Sequence, residues 1–427
     1  MKFVLAFNGS RGDIQPAVAL GVRLRERGHT IAIAAPPNLV EFAESSGLDA
    51  YSYGLDTLEL LESDLVGKDL KSANPLTRIR AINEITMRGG LQMQSELLAI
   101  GAEADAIVGG SAGQERALNV AASLAIPYVP LHYCPVRRNG SVSLFDPATK
   151  HLPRLVREPV TRASWAAVEH LLWRTGKSAD DALAADLGLP PSTAPAAARI
   201  ARRGTPEIQA YDPVLFGDLE KEWGAGRPLV GFIDLSKETR ARIGDDSDDG
   251  ELSQWLAAGP PPIYVGFGSM AVPNATELMN IIVAVCISLG HRVLVAAGWS
   301  ACALESDERV HVTRSVDHDA VLPRCRAAVH HGGAGTTAAS LRAGVPTVVC
   351  SIGADQPIWG ARVTKVGAGA TLRLTDVTPT TFDAALSRAL DAACVAAAGR
   401  VAAAMIAPAA AADRAADIVE QACVGDR

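Results

Sequence analysis

Four short stretches of this 427-residue chain set acids, imidazoles, hydroxyls and glycines close enough together for chemistry. In Ala328-Val329-His330-His331-Gly332-Gly333-Ala334-Gly335-Thr336-Thr337, two histidines end an apolar run, glycines crowd the turn, and paired threonines open a helix. Glycines let backbone approach a ligand closely, and a helix N-terminus carries unpaired N–H groups and partial positive charge. A diphosphate suits such a turn; a tight strand–helix turn that binds nothing is the alternative. The turn lacks a Walker-type lysine, which argues against ATP hydrolysis.

Gly9-Ser10-Arg11-Gly12-Asp13 brings a carboxylate directly after another glycine-rich turn. Asp13 either caps a helix beginning at Ile14 or faces a ligand at the mouth of a parallel sheet. Arg11 is a phosphate contact or a surface residue. Gly353-Ala354-Asp355-Gln356-Pro357 offers acceptors and donors suited to sugar hydroxyls, although helix capping by Asp355 ahead of Pro357 explains the same residues. Gly266-Phe267-Gly268-Ser269 is a further phosphate contact or an ordinary turn.

These stretches need elements to position them. Apolar runs at 2–7, 30–34, 106–108 and 128–132 alternate with helical spacing. That spacing is clearest where Ile14, Ala17, Val18, Leu20, Gly21 and Leu24 share one face. The pattern restarts with runs at 263–267, 292–296, 327–330 and 347–350 and helices at about 275–289, 336–343 and from 357. Such alternation implies an α/β protein with parallel sheets and right-handed crossovers. The first turn is not GxGxxG, and the second run ends Ala34-Ala35-Pro36-Pro37 without an acid, which disfavours a nicotinamide dinucleotide.

Segments 54–95 and 134–205 lack this alternation and are expected to carry substrate specificity. Their apolar residues Leu58, Leu60, Leu61, Leu65, Trp165, Leu171, Leu172 and Trp173 line a greasy cleft or are core, and core is the expectation for most. Residues 227–251 read as a linker. Their acidic run lacks the twelfth-position glutamate of a calcium loop, where Leu256 stands instead. The stretch from Pro379 onward reads as helical, and its last helix could cross back to the first domain.

The formal charge of −7 offers no global basic field, so a nucleic-acid partner is not expected. No run approaches the roughly 18 apolar residues of a membrane span. The apolar start is too short for a secretory signal. Seven cysteines, odd in number and without a CxxC pair, point to reduced thiols rather than disulfides or zinc. A cytoplasmic protein is therefore expected, with contact at the inner face of the membrane left open.

The order of the motifs, GSRGDxxP, then GFGSM, then HHGGAGTT with ADQPxW about 20 residues later, resembles the GT-B glycosyltransferases of family 1. The similarity covers nearly the whole chain and is closest to bacterial natural-product and sterol-type members. The GSRGD start and Arg-rich composition look like actinobacterial enzymes that glycosylate glycopeptides or lipopeptides, mycobacterial glycopeptidolipid glycosyltransferases among them.

The resemblance implies two Rossmann-like domains facing across a cleft. They would be an acceptor domain at 1–226, the linker at 227–251, a nucleotide-sugar domain at 252–408 and a terminal helix at 409–427. It assigns Asp13 as the base that deprotonates an acceptor hydroxyl. Ser10, Arg11, Gly12, Ser269, His331, Gly333, Gly335, Thr336 and Thr337 are assigned to the donor diphosphate, and Asp355 and Gln356 to sugar hydroxyls. Val316 and His318 fall where the nucleobase lies, in a stretch without the aromatic-rich plant pattern.

The activity implied is inverting, metal-independent transfer of a hexose or 6-deoxyhexose from a nucleotide diphosphate sugar to a lipid, lipopeptide or other natural-product hydroxyl. The donor is a co-substrate, and no cofactor or metal ligand is expected. A binding protein without catalysis, and an epimerase or sugar-nucleotide hydrolase of the same fold, are the alternatives.

Overall fold

The computed structural model describes residues 1–424 except 58, 60–62, 64–73, 75–76, 78–79, 82–83, 85–86, 88, 145–150, 245–249, 269–274 and 299–303. Two compact units emerge. One comprises Met1–Pro213, Gly217–Thr239 and Ile406–Arg427; the other comprises Val214–Phe216 and Arg240–Met405. The stretch expected as one linker, 227–251, is therefore divided between them. Phe232, Ile233 and Leu235 are buried, so its first part packs into the first unit instead of spanning solvent.

The first unit holds a six-stranded sheet of β1 (Lys2–Ala6), β2 (Thr30–Ala35), β3 (Asp49–Ser52), β4 (Ala106–Gly109), β5 (Tyr128–His132) and β6 (Ile208–Gln209). Every pairing is parallel, in the order β3-β2-β1-β4-β5-β6. The second unit repeats the plan with β7 (Ile263–Gly266), β8 (Val293–Ala296), β9 (Val310–Thr313), β10 (Ala327–His330), β11 (Thr347–Ser351) and β12 (Gly369–Arg373). Its order is β12-β11-β10-β7-β8-β9, again parallel throughout.

Strand order reverses between β1 and β4 in the first unit and between β7 and β10 in the second. Open α/β sheets bind ligands outside the carboxyl ends of the strands at this reversal. The glycine-rich turns follow β1, β7 and β10, so they stand at those points. In the second sheet, Thr313, Ala296, Gly266, His330 and Val349 form one row of paired residues next to the turns.

Central strands are apolar because both their faces are covered: Phe3, Val4, Leu5, Val265 and Val329 are all fully buried. Close packing of the helix Arg11–Glu26 on the first sheet depends on Gly21, where a Cβ would lie 2.9 Å from a Leu48 methyl. The last helix, Pro408–Val424, buries Ala411, Ala412, Ala415, Ala416 and Val419 and pairs Asp413, Asp417 and Glu420 with Arg23, Arg27 and His29 of the first unit.

Segment 134–205 contains a 33-residue helix, Arg154–Asp186. Trp165 is core as expected, and its indole N–H donates to the Val142 carbonyl at 2.7 Å. Leu171 and Leu172 are not core: they are 60% and 56% exposed, because this part of the helix stands clear of the unit's body. Trp173 is half-buried against His170 and Lys177. Leu58, Leu60, Leu61 and Leu65 lie outside the described residues. Among the described residues no single helix is long and apolar enough to cross a membrane.

Candidate active site

The turn after β1 is built around one carboxylate. Gly9 has φ +133°, a backbone conformation that favours glycine. A Cβ there would come within 2.3 Å of Asp13 Oδ2, so glycine is needed for sterics as well. Ser10 is the residue that enters the helix Arg11–Glu26. Asp13 therefore sits at its third position, not ahead of Ile14: the helix starts earlier than apolar spacing suggested because its first turn, Arg11-Gly12-Asp13, is polar. Asp13 Oδ2 accepts from the Ser10 N–H at 2.7 Å and from the Ser10 hydroxyl at 3.1 Å. The carboxylate thus satisfies one of the helix's orphan N–H groups.

Neighbouring side chains fix the same turn. Tyr133 donates its hydroxyl proton to the Asp13 main-chain carbonyl at 2.6 Å, and Thr57 donates to the Gly9 carbonyl at 2.9 Å. Neither residue stands out in sequence, since both reach the turn only through the fold. Arg11 is exposed, with its guanidinium 4.5 Å from the centre of the Phe42 ring. Beside β5 and β6, buried Glu207 pairs with Arg137, Arg227 and His132. The His132 hydrogen bond and the guanidiniums of Arg137 and Arg227 hold its carboxyl far below the usual carboxylate range despite burial, while burial and Arg137 push His132 down to about 4.

In the second unit three of the expected stretches converge. Gly333 precedes the helix Ala334–Arg342, and among the described residues no side chain caps it. Gly332 has φ +92°, and a Cβ there would lie 3.3 Å from the Gln356 carbonyl oxygen. A Cβ at Gly333 would lie 2.6 Å from His331 Nε2, and one at Gly268 would lie 3.2 Å from His331 Cε1. The glycines are therefore what allow the imidazole and three turns to pack together. At Gly335 an added Cβ would meet no atom within 4 Å.

His331 is partly buried, and its Nδ1 is enclosed with no hydrogen-bond partner among the described residues. Burial pushes it down to about 4, opposed in part by the nearby Gly266 backbone, so the imidazole is neutral at pH 7. His330 is fully buried, and its Nδ1 accepts from the Gly332 N–H at 3.0 Å, which fixes the turn from beneath. Thr337 is also fully buried, with a hydroxyl that finds no partner among the described residues, whereas Thr336 lies nearer the surface. Ser269 lies outside the described residues.

The turn after β11 holds the acid–amide pair. Ala354 has φ +53°, strain of the kind that collects at functional sites. Gln356 is buried, and its Oε1 accepts from the N–H groups of Ile352 and Gly353 at 2.7 and 3.2 Å. Asp355 does not cap the helix Gln356–Lys365; its Oδ2 accepts from the Trp359 indole N–H at 2.7 Å. Burial raises its pKa, with that N–H opposing the rise. Trp359 is fully buried and packs edge-on against Phe216, ring centres 5.4 Å apart. The spacing of Asp355 and Trp359, one helical turn apart, is the signal that would have found this residue.

Val316 packs against a buried cluster that includes Tyr264, Leu294 and Leu322. His318 Nε2 meets the Tyr264 hydroxyl at 2.8 Å. Both follow β9, on the same sheet edge as the other motifs, with His318 tied into the interior.

Known proteins share this plan. The description "Glycosyltransferase family 28 N-terminal domain" matches residues 3–129, and "Erythromycin biosynthesis protein CIII-like, C-terminal domain" matches residues 301–421. An uncharacterized glycosyltransferase of Mycobacterium tuberculosis is 40% identical over 99% of this chain and 99% of its own. The chain belongs to the family 1 glycosyltransferases of GT-B fold. A sterol 3-beta-glucosyltransferase of Arabidopsis thaliana is 30% identical across 86% of this glycosyltransferase and 57% of its own length.

Among solved structures, the glycotransferase of kitacinnamycin superposes with a TM-score of 0.72 at 20% identity, covering 99% of each chain. A Streptomyces sp. SF2575 glycosyltransferase complexed with thymidine diphosphate gives 0.63 at 20% identity, again over 99% of each. At that identity the likeness shows the fold.

Proposed function

We propose that this glycosyltransferase moves a hexosyl or 6-deoxyhexosyl group, with inversion and without a metal ion, from a nucleoside diphosphate sugar to a hydroxyl of a lipid, lipopeptide or other natural-product acceptor. The observation that carries the reading is the helix terminus at Gly333. Among the described residues its first N–H groups have no side-chain cap, and a neutral imidazole whose Nδ1 has no partner stands beside it. Backbone amides, His331 and the hydroxyls of Thr336 and Thr337 would stabilise the charge that grows on a leaving diphosphate. Ser269 belongs to the same proposed set.

The acceptor hydroxyl loses its proton to Asp13 as its oxygen bonds the anomeric carbon. The bond from that carbon to the diphosphate oxygen breaks, and its electron pair leaves with the nucleoside diphosphate. Ser10 spends its N–H and hydroxyl on holding the base. Exposed Arg11, and Gly12 beside it, are proposed as further diphosphate contacts. Asp355 and the Gln356 amide hold sugar hydroxyls, and the stretch with Val316 and His318 receives the base.

The thymidine diphosphate bound to the Streptomyces relative supports a nucleoside diphosphate donor, and the Arabidopsis relative's name supports a glucosyl donor and a hydroxyl acceptor. Product analysis with a panel of nucleotide sugars tests the reading. Acceptor-dependent nucleoside diphosphate release, an inverted anomeric centre by NMR and full activity in EDTA are expected. Sugar release without an acceptor would make the protein a hydrolase. Loss of activity in EDTA would remove the metal-free step.

A further inference from the structure

The helix Arg154–Asp186 carries its apolar residues on the wrong side for a helix of a water-soluble body. Helices normally turn apolar residues toward the core and charges to solvent. Here Trp165, Ala179 and Leu183 face inward as usual, but Leu155, Val156, Val160, Ala163, Ala167 and Leu171 are all exposed. Leu155 is 90% exposed. These positions recur at helical spacing along roughly 24 Å, counting 1.5 Å per residue.

Charge on this helix is sorted in a matching way. Its acids in this stretch, Glu158 and Glu169, are half-buried, and Glu158 pairs with Arg154 at 2.6 Å. Between Arg154 and Arg174 the exposed ionisable residues are basic: Arg154, Arg174 and, within the stripe, His170; Arg157 is half-buried like the two acids. The whole chain carries −7, so a local basic rim around an apolar stripe runs against the average.

We propose that this helix face docks on an anionic lipid bilayer, its apolar stripe entering the headgroup boundary and its arginines meeting lipid phosphates. Interfacial helices combine these two features, apolar area on one face with flanking Lys or Arg. The stripe is convex, which suits a planar surface and not the concave pocket a single small molecule requires. It is also small for a dimer: one helix face about 10 Å wide gives roughly 240 Å², against about 800 Å² per partner in a stable interface. The inference stands apart from the transfer chemistry, because none of its evidence comes from the candidate site.

Vesicle flotation tests it with the full chain. The protein is expected to float with phosphatidylcholine vesicles containing phosphatidylglycerol, to float weakly with phosphatidylcholine alone, and to be released by added salt. Leu155→Glu with Val160→Glu should weaken binding at least about tenfold while the melting temperature holds. Arg157→Glu with Arg174→Glu should remove the preference for anionic lipid, and it decides the matter if the first pair fails to fold. Failure of the unaltered protein to float with phosphatidylglycerol would overturn the proposal. So would flotation unchanged by either pair, or a dimer in sedimentation that Leu155→Glu converts to monomer.

Discussion

The two sheets share strand order and a glycine turn that leads into a helix at the point of reversal, yet they treat that helix terminus in opposite ways. Gly9 and Gly332 each precede the residue that enters the helix, and both have positive φ. Counting from there, Ser10 corresponds to Gly333, Gly12 to Gly335 and Asp13 to Thr336. In the first unit a carboxylate folds back and takes up the entry N–H; in the second no side chain among the described residues does so. One scaffold therefore presents a fixed negative charge in one half and an anion-attracting terminus in the other. The difference turns on residues at the entry and third positions of the helix.

Experiments at these matched positions can break the comparison. The largest effect is expected from Asp13→Asn, which should lower kcat by about 10²–10⁴. Affinity for nucleoside diphosphate, measured by calorimetry, should stay unchanged; turnover near the unaltered rate would show that Asp13 only shapes the turn. Thr336→Asp should give the second unit the first unit's arrangement. It is expected to stabilise the helix yet weaken nucleoside diphosphate binding by about a hundredfold, about 2.8 kcal/mol. His331→Ala should follow at about tenfold on the same measurement.

Smaller effects sharpen the picture. Trp359→Phe keeps the ring but removes the N–H that opposes the rise in the Asp355 pKa. The acid limb of the donor-sugar pH profile should then move to higher pH, with KM for the donor up about threefold to tenfold. Nucleoside diphosphate affinity should hold. The smallest effect is on stability. His132 and His331 sit at about 4 in the folded chain, against about 6.5 when unfolded. The unfolded state binds more protons between those values, so their contribution is full above about pH 6.5 and declines as pH falls toward 4. Urea midpoints should drop over that window, less steeply in His331→Ala.

The inner strands of both sheets are legible in sequence, and the strands missed are all edges. Apolar runs at 2–7, 30–34, 106–108 and 128–132 match β1, β2, β4 and β5, and those in the second half match β7, β8, β10 and β11. The unread strands, β3, β6, β9 and β12, are the four sheet margins. Only two residues of β6 are paired as strand, and β3 is mostly exposed, so neither builds the continuous apolar run of a doubly covered strand. Among the candidate site residues, the glycine turns and their histidines, acids and hydroxyls could be named from spacing. Tyr133 and Thr57 could not, because a hydrogen bond to a main-chain carbonyl leaves no pattern of residue types; Trp359 is legible only as the residue one helical turn beyond Asp355.

Sequence alone determined that two α/β halves each carry a glycine turn at a strand end, since apolar runs and glycines are local signals. It also determined which residues sit in those turns. Tertiary structure decided what they do to one another: that Asp13 holds the Ser10 N–H, that His331 is enclosed and neutral, and that Gln356 packs beside Gly332. It also decided that one long helix keeps leucines in solvent. Burial and hydrogen-bond partners depend on what the rest of the chain packs nearby, and a linear pattern does not contain that information.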